Sequence, residues 1–258
     1  MYLSICILLA TAFFLFAEYL SKRFLFFTLV FYIVLPAALT PLVWVNNGIT
    51  DWFRWSKVYS VLIGIIIISL MRYTKLGNSS YLRWTMVFAL SCNIMEAVIQ
   101  DFSGSGIYHH LNGTAGLLLI PGYLRISDIR IEKTGGDLKW DSTNLPWIIG
   151  YTIWNWTFVV LNYPDYASHH IAVLGSALII GIFNHKVWLQ ARTYTLGTFM
   201  ILYFTGPEKI LFLPFFDYTR EHLRLGASII SIGYMIAYII WYFLLRRNRT
   251  KTETVIDA

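Results

Sequence analysis

A carboxylate stands inside an apolar run: Glu96, in SCNIMEAVIQD, residues 91 to 101. Arg83, the nearest charge before it, is 13 residues away. At ~1.5 Å per helical residue, that puts Glu96 roughly 20 Å into a hydrocarbon core about 30 Å thick. Asn93, Glu96 and Gln100 fall at i, i+3 and i+7 and so share one helix face. A carboxylate at that depth is protonated, paired with a cation, or in touch with water. In the first state Glu96 is a general acid or base, with Asn93 beside it and Gln100 and Asn155 completing a hydrogen-bonding shell. In the second it ties helices together, and in the third it is a proton or cation site on a transport path.

Other polar groups inside apolar runs are candidates for binding a substrate: Asn112, the WNW triplet Trp154, Asn155 and Trp156, and Gln190 and Arg192 in WLQARTYT. By charge Arg192 is the natural counter-ion for Glu96, but counted along the chain the two lie at different depths. Two adjacent pairs, His109–His110 and His169–His170, could offer imidazole to a metal. Neighbouring histidines point apart, however, and no metal-ligand spacing accompanies them, so neither a metal nor a cofactor is expected.

Composition sets the medium in which these groups work. Hydrophobic residues make up 57% of the 258 and charged residues only 13%, about half the charged share of an ordinary soluble domain. This excludes a nucleic-acid role for the net charge of +6, because the basic residues gather at span boundaries and in the tail. Cys6 and Cys92 both fall inside apolar runs and imply no disulfide. Lys22 and Arg23 follow the first apolar run and no basic region precedes it, so it is expected to be a retained helix with its N-terminus outside.

The expected architecture is an all-α, polytopic transmembrane helix bundle. Eight spans are read at 3 to 20, 24 to 45, 58 to 72, 84 to 101, 146 to 162, 167 to 184, 189 to 205 and 225 to 245. One transmembrane domain covers 1 to 245, and 246 to 258 forms a basic cytoplasmic tail. Residues 103 to 124 carry no charge and several glycines, and are expected as a broken or re-entrant membrane segment lining a site. As a ninth crossing, this segment would leave most Lys and Arg on the side of the C-terminus, the cytoplasmic side. IRIEKTGGDLKW alternates around Gly135-Gly136 and predicts a small cytoplasmic β-hairpin over 129 to 140. Residues 206 to 226 are expected as an interfacial helix or lid carrying Glu208 and Asp217.

LPWIIGYTIWNWTFVVLNYP, WLQARTYTLG and HLNGTAGLLLI resemble an uncharacterised family of bacterial multi-pass integral membrane proteins, a likeness that supplies no activity. A second likeness is local: CNIME is similar to a segment of the integral-membrane terpene cyclases, although Met95 stands where those enzymes carry Trp. It implies Glu96 as proton donor to an isoprenoid, with Trp154 and Trp156 facing carbocations. Three functions are therefore expected: an intramembrane enzyme acting on a lipid or isoprenoid through Glu96; a small-solute or ion transporter or channel using Glu96 and segment 103 to 124; and a structural or signalling membrane partner. The expected partners are membrane lipids, with a lipid or isoprenoid as ligand and no nucleic acid.

Overall fold

The computed structural model describes residues 2–133, 135–206 and 217–256. Among these residues the chain forms nine helices and one hairpin. The helices are α1 (Tyr2–Arg23), α2 (Leu25–Leu42), α3 (Trp52–Tyr73), α4 (Ser80–Phe102), α5 (Ile107–Leu119), α6 (Leu145–Asn162), α7 (Ala167–Phe183), α8 (Trp188–Thr205) and α9 (Glu221–Ile256). The strands are β1 (Ile129–Ile131) and β2 (Leu138–Trp140). Six helices, α1 to α4, α7 and α9, are long and apolar enough to cross a membrane, which makes this a membrane protein. Residues 207–216 of the expected lid, Glu208 among them, lie outside the described residues, and its end from Glu221 onward opens α9.

Helix starts follow their caps. Asp51 accepts from the Phe53 amide at the head of α3, and Asn144 accepts from the Trp147 amide at the head of α6, each satisfying a donor the helix leaves open. Ahead of Pro36 and Pro41, α2 contains a π-helical turn, Val30–Val34. There the Tyr32 hydroxyl lies 3.0 Å from the Ser21 hydroxyl, 2.7 Å from the Thr198 hydroxyl and 3.3 Å from the Tyr194 carbonyl. Gly197 leaves room for both Ile65 and the Tyr32 ring, since a Cβ on it would fall 2.6 Å from Ile65 Cδ1 and 3.2 Å from Tyr32 Cε1. Segment 103 to 124 is a helix broken from α4: a bend at 103–106 precedes α5, which is closed by a 3₁₀ turn at Ile120–Gly122. It packs against α4, α6 and α9. At 13 residues it is roughly 20 Å long, so it can cross only together with the bend before it and the 3₁₀ turn after it.

Side-chain contacts define the two ends of the bundle. At one end Trp44 donates to Thr205, Tyr163 donates to Asp51, and Asn162 donates to Asp101. At the other end are Lys22, Arg72, His185 and the hairpin. The strands pair antiparallel, with Ile129 opposite Trp140 and Ile131 opposite Leu138. Left-handed Gly135 and Gly136, at φ 93° and 67°, turn the chain as only glycine does cheaply. Ile129, Leu138 and Trp140 are buried, so the hairpin is seated in the bundle. Helix α8 lies between α1, α3 and α7, and 15 of its 18 residues are buried.

Candidate functional site

Glu96 is paired, and its partner is Lys57. Helix α3 begins at Trp52, so Ser56, Lys57 and Ser60 lie within about one turn of each other and face α4. Lys57 Nζ is 2.9 Å from Glu96 Oε2. Ser56 donates to Oε1 at 2.7 Å and Ser60 to Oε2 at 3.1 Å. Lys57 also donates to the Asn93 carbonyl at 2.8 Å. Both charges are largely buried, at 11% and 15% side-chain exposure, and three donors on one carboxylate meet the requirement that buried charges be paired and hydrogen-bonded.

Beside this pair lies a cavity of about 80 Å³. Its polar lining is Arg54, Lys57, Asn93, Asn155, His170 and Arg192, and its walls include Phe53, Phe158, Phe199 and Tyr203. A second cavity, of about 40 Å³, is lined by Ser60, Tyr151 and Thr193 among others. Asn93, Arg192 and Leu196 line both, so the Asn93–Arg192 pinch is where the two spaces meet. Asn155 Oδ1 lies 2.9 Å from His170 Nε2 and accepts from Arg192 Nη2 at 3.1 Å. Arg192 is 3% exposed, and its Nε and Nη1 have no hydrogen-bond partner among the described residues.

A second polar cluster joins α4, α5, α6 and α9. Asp101 is fully buried and accepts from Asn112 and Asn162, both at 2.7 Å, with His109 Nδ1 3.5 Å away. Arg224 Nη2 lies 3.3 Å from His109 Nε2, while its Nη1 donates to the Tyr108 hydroxyl. Ser231 donates to Asn112, and Trp154 donates to the Asn112 carbonyl.

A third cluster holds the hairpin. Asp137 Oδ2 pairs with Lys22 at 2.7 Å, and Oδ1 accepts from Gln190 at 3.2 Å with Arg72 3.8 Å away. Gln190 accepts in turn from the Leu138 amide, and Arg72 donates to the Gly136 and Lys22 carbonyls and to the Tyr194 hydroxyl.

The chain matches the model of a family of unknown function, DUF5692, over residues 1–105 and 103–254. The chain belongs to that family. No curated protein and no solved structure matches it. In this DUF5692 member the first matched segment supplies Lys57, Asn93 and Glu96, and the second supplies Asn155, His170 and Arg192, so both halves of the match meet at the cavities.

The residues singled out from the sequence divide among these places. Asn93, Asn155 and Arg192 line the larger cavity, with Glu96 behind Lys57. Asn112, Trp154 and His109 belong to the Asp101 cluster, and Gln190 belongs to the hairpin. Trp156 donates to the Ala167 carbonyl. Gln100 makes no side-chain hydrogen bond to a described residue, and His110 is exposed against the Phe102 ring. His169 is half-buried, and His170 alone of the four histidines lines the cavity. Among the described residues no group of three or more His, Cys, Asp or Glu side chains could hold a metal ion.

Sequence reasoning missed Lys57, Ser56, Ser60, Asp101, Arg224 and Asp137. For Lys57 the usable signal was the Asp51 cap: a helix begun there carries Ser56, Lys57 and Ser60 into the span.

Proposed function

We propose that this DUF5692 member is a multi-pass transporter for a small solute, crossing the membrane nine times with its N-terminus outside and its C-terminus in the cytoplasm. The observation that carries the reading is the meeting of two cavities at Asn93 and Arg192, near the middle of the bundle. In many carriers the substrate site lies near the bilayer midplane and is exposed to one side and then the other, and the buried polar side chains shared by these cavities supply a candidate for such a site. The larger cavity lies toward the end marked by Asp51 and Tyr163. The opposite end is closed by the hairpin, gripped by Lys22, Arg72 and Gln190. The orientation follows from charge: Lys22, Arg23, Arg72, Lys75, Arg125, Arg130, Lys133, Lys139 and Lys186 all fall at or beside the hairpin end, which the positive-inside rule places in the cytoplasm.

The acid-catalysis reading of Glu96 has less support in the geometry. A general acid must have a proton to give, whereas this carboxylate accepts from Ser56, Ser60 and Lys57. The indoles of Trp154 and Trp156 are engaged with backbone carbonyls elsewhere.

Two thiol-labelling experiments test the proposal in a Cys6→Ser, Cys92→Ser background in sealed vesicles. Ser105→Cys and Lys133→Cys should react with a membrane-impermeant maleimide from opposite sides, and labelling from the same side would refute the crossing number. Val159→Cys, in the larger cavity, should react from the Ser105 side, and Thr193→Cys, in the smaller, from the Lys133 side. If neither cavity position reacts with a water-soluble reagent from either side, while a lipid-soluble reagent labels both, the path is lateral and the lipid-enzyme reading is preferred.

A further inference from the structure

We propose that the solute held between the two cavities is a small organic monoanion, a carboxylate of a few carbons seated with its charge against Arg192; this deepens the transport reading and rests on it. The argument begins with a charge count. Of the three cations that line the larger cavity, Lys57 is matched by Glu96 at 2.9 Å and Arg54 by Asp51 at 3.3 Å. Arg192 has no carboxylate within 4.0 Å among the described residues. Its one hydrogen bond is to a neutral amide oxygen, Asn155 Oδ1, and Nε and Nη1 are left over. A guanidinium stays charged at any accessible pH, and a buried one without a counter-charge is costly. One uncompensated positive charge calls for one negative charge, and a planar carboxylate fits the guanidinium fork.

The walls narrow the choice. Phe53, Phe158, Val159, Leu196, Phe199 and Tyr203 give the anion an apolar surround. A phosphate dianion would have to shed more hydration than one guanidinium replaces, while a short hydrocarbon body gains from the same walls. Size narrows it again. The cavity of about 80 Å³ is about half the ~150 Å³ apolar cavity that admits benzene. That leaves room for a few carbon atoms beside Arg192.

The test uses the full chain in nanodiscs in a low-salt zwitterionic buffer free of carboxylates, following the melting temperature as propionate, chloride, inorganic phosphate or tetramethylammonium is added. Propionate is expected to raise it saturably, at concentrations at least tenfold below those needed for the other three. Arg192→Gln should abolish the shift, and Arg192→Lys should retain part of it. Leu196→Phe, which fills the space common to both cavities, should abolish it with Arg192 intact and serves if Arg192→Gln does not fold. Equal or tighter binding of chloride, phosphate or tetramethylammonium would overturn the assignment. So would a propionate shift that survives in Arg192→Gln and Leu196→Phe. If no probe shifts the wild type but Val159→Cys and Thr193→Cys still react from opposite sides, the monoanion fails and the transport reading stands. If the thiols fail as well, both fall together.

Discussion

Lys57→Met should destabilise the folded protein by about 3–5 kcal/mol, the cost of removing one partner from a buried ion pair. At roughly 2–4 °C per kcal/mol for a chain of this size, the melting temperature in detergent should fall by on the order of 10 °C. The reason lies in what remains: Glu96 keeps only the hydroxyls of Ser56 and Ser60 against a full negative charge. Glu96→Gln should also be costly, because it leaves the Lys57 ammonium facing the same cavity as Arg192, a like charge with nothing between them to offset it. The double variant Lys57→Met, Glu96→Gln removes both charges and should recover most of the loss, since replacing a buried pair outright is often close to neutral. If the two single variants and the double variant melt within ~2 °C of the wild type, a shift worth under about 1 kcal/mol, the pair contributes nothing to the fold. If the double variant only adds the two single losses, the residues do not interact.

Asp137→Ala should be the second large effect, and it should appear in accessibility as well as stability. Asp137 is 6% exposed and reaches Lys22, Gln190 and Arg72 from the hairpin turn. The Lys22 arm is 41% exposed on the lysine side, so solvent screens it and its share is small. The Gln190 and Arg72 arms are buried, and losing them leaves Arg72, 1% exposed at the side chain, holding only carbonyl and hydroxyl oxygens. A loss of about 2–4 kcal/mol is expected. Because the hairpin closes this end of the bundle, the reaction of Thr193→Cys with a water-soluble maleimide should accelerate by about tenfold, a loosening worth ~1.4 kcal/mol. The rate at Val159→Cys, in the cavity toward the other end, should stay unchanged. Equal acceleration at both positions would mean general loosening of the bundle, and no change at Thr193→Cys would mean that the hairpin does not guard the smaller cavity.

Most helix positions were legible because long apolar runs are hard to hide. The ends of α6, α7 and α8 fall within about two residues of the expected ones. The start of α3 was not legible. Arg54 and Lys57 look like loop charges in sequence, yet Arg54 stacks over the rings of Tyr163 and Tyr203 and Lys57 pairs with Glu96, contacts that come from distant parts of the chain. That six-residue error hid the partner of Glu96. The hairpin was readable from Gly135-Gly136 and its alternation, but not its docking, since Asp137 finds its partners on α1, α3 and α8. Depth counted along the chain argued against pairing Arg192 with Glu96, and the two do not pair: Glu96 takes Lys57, while Arg192 donates to Asn155. Spacing places residues on a helix face, while tilt and packing decide which faces meet.

Helix α8 has a consequence for how the protein is made. It carries Gln190, Arg192, Thr193, Thr195 and Thr198 among its residues, and it is not one of the six helices apolar enough to cross unaided. A segment with a guanidinium in its first turns has little tendency to leave the insertion machinery for lipid on its own. Its welcome in the bilayer must come from α1, α3 and α7, already synthesised and waiting, among which it is almost completely buried. Biogenesis should therefore be ordered, with the ribosome delivering α8 into a vacant slot in a part-built protein. Nascent chains arrested just beyond Gly206 should hold α8 in the membrane when α1 to α7 precede it, and release it when it is moved behind an unrelated hydrophobic span.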